Sequence, residues 1–413
     1  MSGLDLRVSP REIVRALQGQ AEGVQNLEEH FAHLAWSNIC EPGDGFAGLL
    51  VGAFGAAKAL SIELEEPSAS RLSSLLVKAG LDHEDQKVFG RLEINLLDAR
   101  ERWRSRKSLA LVLSSLERIR ALQGQVLTPH SQNWPQQLND LRRHAPHALW
   151  LRGLPEVVGS SGRSVAIVGS RDATSYGELV TSELIGPLVS KNFTVVSGGA
   201  FGIDGMAHRG TIALGGKTIA VMAGGVDRLY PSGHIPLLES IIRSGAVISE
   251  LPPGVAPSKW RFLQRNRIIA ALGQSTVVVE ANWKSGAMNT VKHAEELDRP
   301  IGAVPGPVTS PKSAGCHKLI RDHRATLIAD SADLLELLNE RGGERPRDLE
   351  LAGLGALETR ALDAIGFSLL GLEAICSDSG LTKDEARIAL GSLELESLVS
   401  RSSDGWRRSQ TTV

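Results

Sequence analysis

The segment Ser197-Gly-Gly-Ala-Phe-Gly-Ile-Asp204 decides how the middle of the chain folds. It follows the apolar run 193–196 and precedes the helix-like stretch 205–213, so it predicts a glycine-rich turn between a buried strand and a helix. Glycines let a backbone approach a phosphate, and free N–H groups at a helix start attract one. The spacing matches neither the dinucleotide fingerprint nor the Walker pattern. It indicates a phosphate-bearing ligand, and the alternative is a tight turn that binds nothing.

Short apolar runs on both sides of this loop predict a sheet. A helical pattern separates each run from the next, as in a parallel sheet that is covered on both faces. The runs are 165–171, 193–196, 217–225, 246–250, 275–281 and 301–305. They predict an α/β fold with an extended, Rossmann-like, doubly wound and mostly parallel sheet. Because several runs end in Gly, Ser, Arg or Glu, the carboxyl edge of the sheet is the expected ligand site.

Cations and aromatic rings are concentrated in Lys259-Trp-Arg-Phe-Leu-Gln-Arg-Asn-Arg267. Guanidinium and ammonium groups bind phosphates, and unstacked bases stack on aromatic rings, so this composition suits single-stranded nucleic acid. Residues 162–330 contain 18 Lys and Arg against 13 Asp and Glu, although the whole chain has a net charge of −2. This local excess favours a polyanion site. The alternative is an amphipathic helix whose arginines pair with surface carboxylates.

The composition of the flanks predicts further domains. We expect a helical domain over 1–122, a core over 123–338, a linker over 339–353 and a C-terminal domain over 354–413. The linker prediction rests on polar, glycine-bearing sequence. In the last domain, Thr382 and Glu385 predict a capping box. The charge run 101–107, which contains Trp103, is either a nucleic-acid patch or the solvated face of a helix.

The overall composition favours a cytoplasmic protein. The chain has 42% hydrophobic and 22% charged residues, which suits a buried core with a solvated surface. Residues 1–20 lack the apolar segment of a signal peptide, and no apolar run is long enough to span a membrane, so we expect no membrane insertion. Cys40, Cys316 and Cys376 are odd in number and lack C-x-x-C spacing. We therefore expect no disulfide, no metal site and no cofactor.

Short motifs follow one another in order between about residues 125 and 338. They are Gly169-Ser-Arg171, Tyr176-Gly177, Ser197-Gly-x-Ala-x-Gly-Ile-Asp204, Ala207-His208, Gly216-x-Thr-Ile-Ala-Val221, Gly225-Val-Asp227, Tyr230-Pro231, Ser249-Glu250, Phe262-x-x-Arg-Asn-Arg-Ile-Ile269, Val279-Glu-Ala281, Ser285-Gly286, Arg299-Pro300, Val304-Pro-Gly306 and Leu319-Ile320. Together they resemble the DNA-processing protein A (DprA/Smf) family. The resemblance implies a protein that is not an enzyme, binds and protects single-stranded DNA, forms a homodimer and helps load the recombinase RecA onto incoming DNA during natural transformation. Other transformation proteins are further expected partners.

The resemblance also implies domain types and site residues. The N-terminal part looks similar to sterile-alpha-motif or helix-hairpin-helix domains, and the C-terminal part to a winged helix. In the strand-binding pocket, Lys259 would contact phosphate and Phe262 would stack a base, while Ser285 either completes the rim or only caps a helix. The implied set is Gly169, Ser170, Arg171, Ser197, Gly198, Gly199, Gly202, Lys259, Phe262, Arg265, Asn266, Arg267, Ser285 and Gly286.

The chain departs from the family pattern in four places: at Phe201, at Leu263, at 288–291 and at 315–320. Phe201 stands where the family usually has Arg, and Leu263 stands where Pro is common. The first change either removes a phosphate contact or replaces it by stacking. The departures leave open a diverged paralogue with a changed strand-binding role.

Two other functional classes remain as alternatives. A nucleotide hydrolase on a similar sheet, like the phosphoribohydrolases, would use Asp204, Glu250 or Glu280 for acid–base chemistry. The Pro-Gly-Gly-x-Gly-Thr signature of those enzymes is absent from the sequence. The second alternative is a sensor of a phosphate-bearing nucleotide that signals through the C-terminal module, for example in phage defence.

Overall fold

The structure is a computed structural model that describes residues 6, 8–21, 23–80, 91–340, 355–365, 369–395, 398–402 and 405–409. The chain forms two compact units, Met1–Gly342 and Gly343–Val413. The predicted linker, 339–353, lies outside the described residues from position 341 onward. Its boundaries therefore stay a prediction.

The first unit begins with short helices, as the sequence predicts. They are α1 (Pro10–Ala16), α2 (Leu27–Ile39), α3 (Gly45–Phe54), α4 (Ala56–Leu64), α5 (Ala69–Lys78), α6 (Leu92–Arg104) and α7 (Leu109–Ala121). Side-chain caps fix several starts. Asp44, for example, accepts from two amides of the first turn of α3. Among the described helices, none is by itself long and apolar enough to cross a membrane, and only α3 and α4 pass that test as a pair, bent by 113°.

The charge run 101–107 is tied into these helices. Trp103 is fully buried and donates its Nε1–H to Asp44 Oδ2 at 3.0 Å. Arg106 pairs with Glu41, and Lys107 Nζ lies 2.5 Å from Glu63 Oε1. Trp103, Arg106 and Lys107 therefore serve helix packing and do not form the solvated helix face that the sequence left as the alternative.

A mixed, mostly parallel sheet follows the helices. Its strands are β1 (Gln125–Leu127), β2 (Leu149–Gly153), β3 (Ser164–Val168), β4 (Thr194–Ser197), β5 (Thr218–Val221), β6 (Ala246–Ser249), β7 (Ser275–Val278), β8 (Ile301–Ala303) and β9 (Thr326–Leu327). The spatial order is β1-β2-β6-β5-β4-β3-β7-β8-β9. Strands β3 to β9 run parallel, whereas β2 pairs antiparallel with β6 and with β1. The predicted doubly wound α/β class is confirmed.

Helices cover both faces of this sheet. They are α8 (Pro155–Gly159), α9 (Ser175–Ser190), α10 (Ile203–Ala213), α11 (Ile235–Ser244), α12 (Lys259–Leu272), α13 (Gly286–Glu296), α14 (Ala314–Arg321) and α15 (Ser331–Leu337). Alternate residues of β3 show the two faces: Ala166 packs in the cluster with α12 and α13, whereas Val165 packs with α9, α10 and α15. A third cluster joins α2 to α7 with β2 and α11. The helical part thus shares a core with the sheet, and the boundary after residue 122 stays a prediction.

The sheet has one topological switch point. From β3 the chain proceeds through β4, β5 and β6 to one side, and then returns to add β7, β8 and β9 on the other. The loops that leave the carboxyl ends of β3, β4 and β7 therefore lie next to one another. In open α/β sheets, ligands bind at this position.

The second unit has its own small core. It contains α16 (Ala356–Ala364), α17 (Leu372–Ser379), α18 (Lys383–Leu395) and a hairpin of β10 (Val399–Ser402) with β11 (Gly405–Arg408). Leu362, Ile375 and Leu390 are among its buried residues. The predicted capping box is confirmed, because Thr382 N donates to Glu385 Oε2 at 2.9 Å and Glu385 N to Thr382 Oγ1 at 3.3 Å. The predicted winged-helix architecture is confirmed as well.

The separate cores predict the outcome of truncation. A chain that ends at Glu340 keeps all helices and strands described for the first unit, so we expect it to melt cooperatively within a few degrees of the full chain. A matched chain that ends at Asp330 loses α15, whose Leu334 is buried against the sheet, and should melt lower. Thermal unfolding followed by circular dichroism checks both chains. Aggregation or non-cooperative melting of the chain that ends at Glu340 would contradict the two-unit description.

Candidate functional site

Two loops contact each other at the switch point. They join β3 to α9 and β4 to α10, and the Ile203 amide donates to the Ser170 carbonyl oxygen at 3.1 Å. A Cβ on Gly202 would lie 2.2 Å from that same oxygen, and the φ angle of Gly202 is +71°. Gly169 is equally confined, since its Cβ would lie 2.6 Å from Ile203 Cγ1. These predicted site residues are therefore brought together, and their glycines permit the close approach.

Asp204 fills part of the glycine loop 198–202 with its own carboxylate. Its Oδ2 accepts from Gly198 N at 3.1 Å and from Ala200 N at 3.3 Å. Burial raises the pKa of Asp204, although the nearby Arg265 and these hydrogen bonds act in the opposite direction. The amides of Gly198 and Ala200 are thus bonded within the protein and are not free for a ligand phosphate. Among the described residues, no acceptor is bonded to the amides of Phe201 and Gly202.

Arg265 braces this loop from the interior. Its side chain is buried, and Nη1 donates to Gly198 O at 2.6 Å and also to Val221 O. Burial lowers the pKa of Arg265 to about 10, while Asp204 raises it, so the guanidinium stays charged at neutral pH. A Cβ on Gly198 would lie 2.6 Å from Arg265 Nη1. Arg265 therefore holds the ends of β4 and β5 against α12.

Asn266 and Arg267 are also buried and bonded within the protein. Asn266 Nδ2 donates to Gly286 O at 3.2 Å and to Asn289 Oδ1 at 3.1 Å. Arg267 Nη2 donates to both oxygens of Glu250, at 2.6 and 2.8 Å. These bonds position α13 and the end of β6. Direct contact of these side chains with a ligand stays a prediction, because every bond that the structure gives them is internal.

The exposed part of the site centres on Phe262, which is half-buried. The Arg171 guanidinium lies over its ring, 5.3 Å from the centroid. Lys259 is exposed and lies one helical turn earlier on α12, so it shares a face with Phe262. Among the described residues, neither Arg171 nor Lys259 has a carboxylate within ion-pairing distance. Two cations without a carboxylate partner among the described residues thus lie on the same part of the surface as a half-buried ring, and their contact with a DNA strand stays a prediction.

The sequence reasoning missed one aromatic residue of this surface, Tyr230, and the exposure of another ring on α12, that of Trp260. The Tyr230 ring is 48% exposed, and its centroid lies 5.7 Å from that of Phe262. Trp260 is also 48% exposed. Both belonged to quoted segments, Tyr230-Pro231 and the basic run, but only the folded chain shows that their rings reach the surface. Phe201 is 48% exposed as well and packs edge-on against His234, with centroids 4.5 Å apart.

Of the other predicted site residues, Ser197 and Gly199 contact groups within the protein, and Ser285 has a side chain without a partner among the described residues. Ser197 Oγ donates to Ile167 O at 2.6 Å and ties β4 to β3. The Gly199 carbonyl is 3.0 Å from His234 Nδ1. Ser285 occupies the N-cap position of α13 but makes no side-chain cap bond. Its Oγ is buried without a hydrogen-bond partner in the part of the chain that the structure describes.

Glu250 and Glu280, two of the carboxylates of the hydrolase alternative, accept internal hydrogen bonds as Asp204 does. Glu250 binds Arg267. Glu280 accepts from Thr174 N at 3.0 Å and from Thr174 Oγ1 at 2.6 Å, at the start of α9. Strand-end carboxylates of this kind hold loops and helix starts in place.

Comparisons with known proteins agree with this architecture. The family model for DNA recombination-mediator protein A matches residues 125–339, and the model for the DprA winged helix domain matches residues 345–405. A putative DNA processing protein DprA of Mycobacterium tuberculosis strain H37Rv is 38% identical over 318 residues, which cover 73% of this chain and 82% of that protein. The DNA processing protein DprA of Bacillus subtilis is 40% identical over 182 residues, or 44% and 61% of the two chains. The X-ray structure of DprA from Streptococcus pneumoniae has a TM-score of 0.57 at 26% identity, covering 75% of this chain and 97% of that one.

Gly202 and Gly286 differ in the space available to an added Cβ, so alanine at the two positions should affect stability differently. Gly202→Ala forces a Cβ against a backbone oxygen at a positive φ, so we expect a loss of about 1–3 kcal/mol or more in the free energy of unfolding. Gly286→Ala is the matched control, because a Cβ there meets nothing within 4 Å. Denaturant unfolding of both variants measures the difference. Equal stability of the two variants would contradict the tight loop contact.

Proposed function

The chain belongs to the DNA-processing protein A (DprA/Smf) family, and from that premise we propose that it binds single-stranded DNA at the carboxyl edge of its sheet. The observation that carries the proposal is the exposed face formed by Phe262, Arg171 and Lys259 at the switch point. A base stacks on an aromatic ring whatever its identity, and the flanking cations bind the phosphates on either side. A duplex keeps its bases stacked inside, so this face favours single strands.

The buried network explains how this surface is kept in shape. Arg265, Asn266 and Arg267 occupy successive positions of α12, and their partners lie on β4, β5, β6 and α13. We assign them a positioning function beneath the contact surface, on which Phe262 is the stacking group. Held side chains lose little conformational entropy on binding, which favours affinity.

The cellular function follows from the family premise. We propose that the protein protects incoming DNA during natural transformation, loads RecA onto it and acts as a cytoplasmic homodimer, together with other transformation proteins. A protein of this kind binds and delivers DNA and is not an enzyme. The carboxylates of Asp204, Glu250 and Glu280 serve structural hydrogen bonds in this proposal.

A nucleotide-sensing or nucleotide-hydrolysing paralogue is the competing function. The amides of Phe201 and Gly202 and the Ser285 hydroxyl are the polar groups that would hold a nucleotide phosphate. Incubation with nucleoside monophosphates, followed by chromatography, separates the two functions. Release of a free base would contradict the proposal, whereas intact nucleotides together with tight oligonucleotide binding support it.

Loss of a charged contact and loss of a stacking contact should change the salt dependence of oligonucleotide binding in different ways. Phe262→Ala should weaken binding to a single-stranded oligonucleotide by about 1–3 kcal/mol with an unchanged slope of log K against log salt. Arg171→Glu and Lys259→Glu should weaken binding and flatten that slope, because fewer counterions are released. Lys191→Glu is the matched control, since this exposed residue precedes β4 at the opposite edge of the sheet. Equal effects of Lys191→Glu and Lys259→Glu, or equal affinity for single and double strands, would argue against the proposed surface.

Phe201 gives a test of the loop itself. Phe201→Arg adds a cation beside two unpaired amides, so it should tighten single-strand binding several-fold, most strongly at low salt. Phe201→Gln is the control for loss of the ring without a gain of charge. Fluorescence anisotropy of a labelled oligonucleotide measures both variants. If Phe201→Arg binds no better than Phe201→Gln, the loop does not face the strand.

A further inference from the structure

A group of metal-binding side chain types lies between α2 and the turn that follows β1. One ligand atom from each of Glu29, His33 and His130 falls within 4.8 Å of the other two. Glu29 and His33 are one helical turn apart on α2, so they share a face. We infer that Glu29, His33 and His130 bind one divalent transition-metal ion, and that Zn²⁺ fits them best.

His33 supplies an observation that is independent of the clustering. It is only 5% exposed, yet its Nδ1 has no hydrogen-bond partner among the described residues. A buried polar atom of this kind is costly unless something binds it. The His33 ring also lies beside those of His130 and His147, with ring centroids 5.6 and 6.2 Å away.

Glu29 is held in place by the first turn of α4. Its Oε2 accepts from Ala56 N at 2.8 Å and its Oε1 from Ala57 N at 3.3 Å. Each carboxylate oxygen has a second acceptor site, so these bonds fix the group without exhausting it. The turn that carries His130 is anchored beside α2 as well, because His30 Nδ1 lies 2.8 Å from Thr128 Oγ1. The ligands are therefore largely preorganised.

The donor set decides the class of ion. Two imidazoles and one carboxylate suit Zn²⁺ and its neighbours in the first transition row, whereas Ca²⁺ and Mg²⁺ prefer sites made of oxygen. Three protein ligands leave a further position for water, and the exposure of His130 leaves that position open to solvent. The ion would join α2 to the turn after β1, which links the N-terminal helices to the sheet. This inference is independent of DNA binding.

The experiment uses the untagged full chain after treatment with a chelator and desalting. Co²⁺ is titrated as the probe and followed by its visible absorption, and Zn²⁺ is then added as a competitor. His130→Asn removes the exposed ligand without disturbing the core. His323→Asn is the matched control, because His323 is exposed and has a positive φ of 55° that asparagine tolerates.

We expect one equivalent of Co²⁺ to bind the natural chain and the His323→Asn chain, with at least tenfold weaker binding to His130→Asn. Zn²⁺ should displace Co²⁺ and raise the midpoint temperature of unfolding of the natural chain and of the His323→Asn chain, because a ligand that binds only the folded state stabilises it. It should not raise that of the His130→Asn chain. The metal-free melting curves show whether His130→Asn is folded. Absence of stoichiometric binding, or equal affinity in the His130→Asn chain, would overturn the inference.

Discussion

The buried guanidinium of Arg265 is the interaction on which the candidate site depends. It donates to carbonyl oxygens at the ends of β4 and β5, and it lies close enough to Asp204 for each charge to shift the pKa of the other. Asp204 in turn binds two amides of the glycine loop. A buried charge is tolerated only with such partners. The loop, the carboxylate and α12 therefore form one unit, and a change in one member affects the others.

This arrangement separates positioning from contact along a single helix. The residues of α12 that face the sheet are buried and bonded internally, whereas its first turn carries the exposed Lys259 and the half-buried ring of Phe262. A sequence-tolerant binder needs a rigid stacking platform with charges around it and no base-specific donors. The combination of a buried polar network with an exposed ring meets that requirement.

The sheet was predictable from the sequence because it depends on local signals, whereas the Phe262 surface stays a prediction as a binding site. Apolar runs mark strands, glycines mark the tight loops, and the spacing of Lys259 and Phe262 places them on one helix face. The sequence could not show that Asp204 occupies the glycine loop or that Arg267 is bound to Glu250, because tertiary packing determines which groups a buried charge contacts. The cluster of Glu29, His33 and His130 was not predicted, because only tertiary packing brings these residues together from distant segments. The expectation of no metal site rested on cysteine spacing, which gives no information about histidine ligands.

Photo-crosslinking of the full chain to a single-stranded oligonucleotide, with the adducts located by mass spectrometry, tests the central claim most directly. The rings of Phe262 and Tyr230 lie within one small surface, with centroids 5.7 Å apart, so crosslinked peptides should contain Phe262 or Tyr230. The same peptides should lose their adducts when unlabelled single strand is added in excess, and should keep them when duplex is added. Crosslinks confined to the C-terminal unit or to the N-terminal helices would contradict the account, because the strand would then bind away from the switch point.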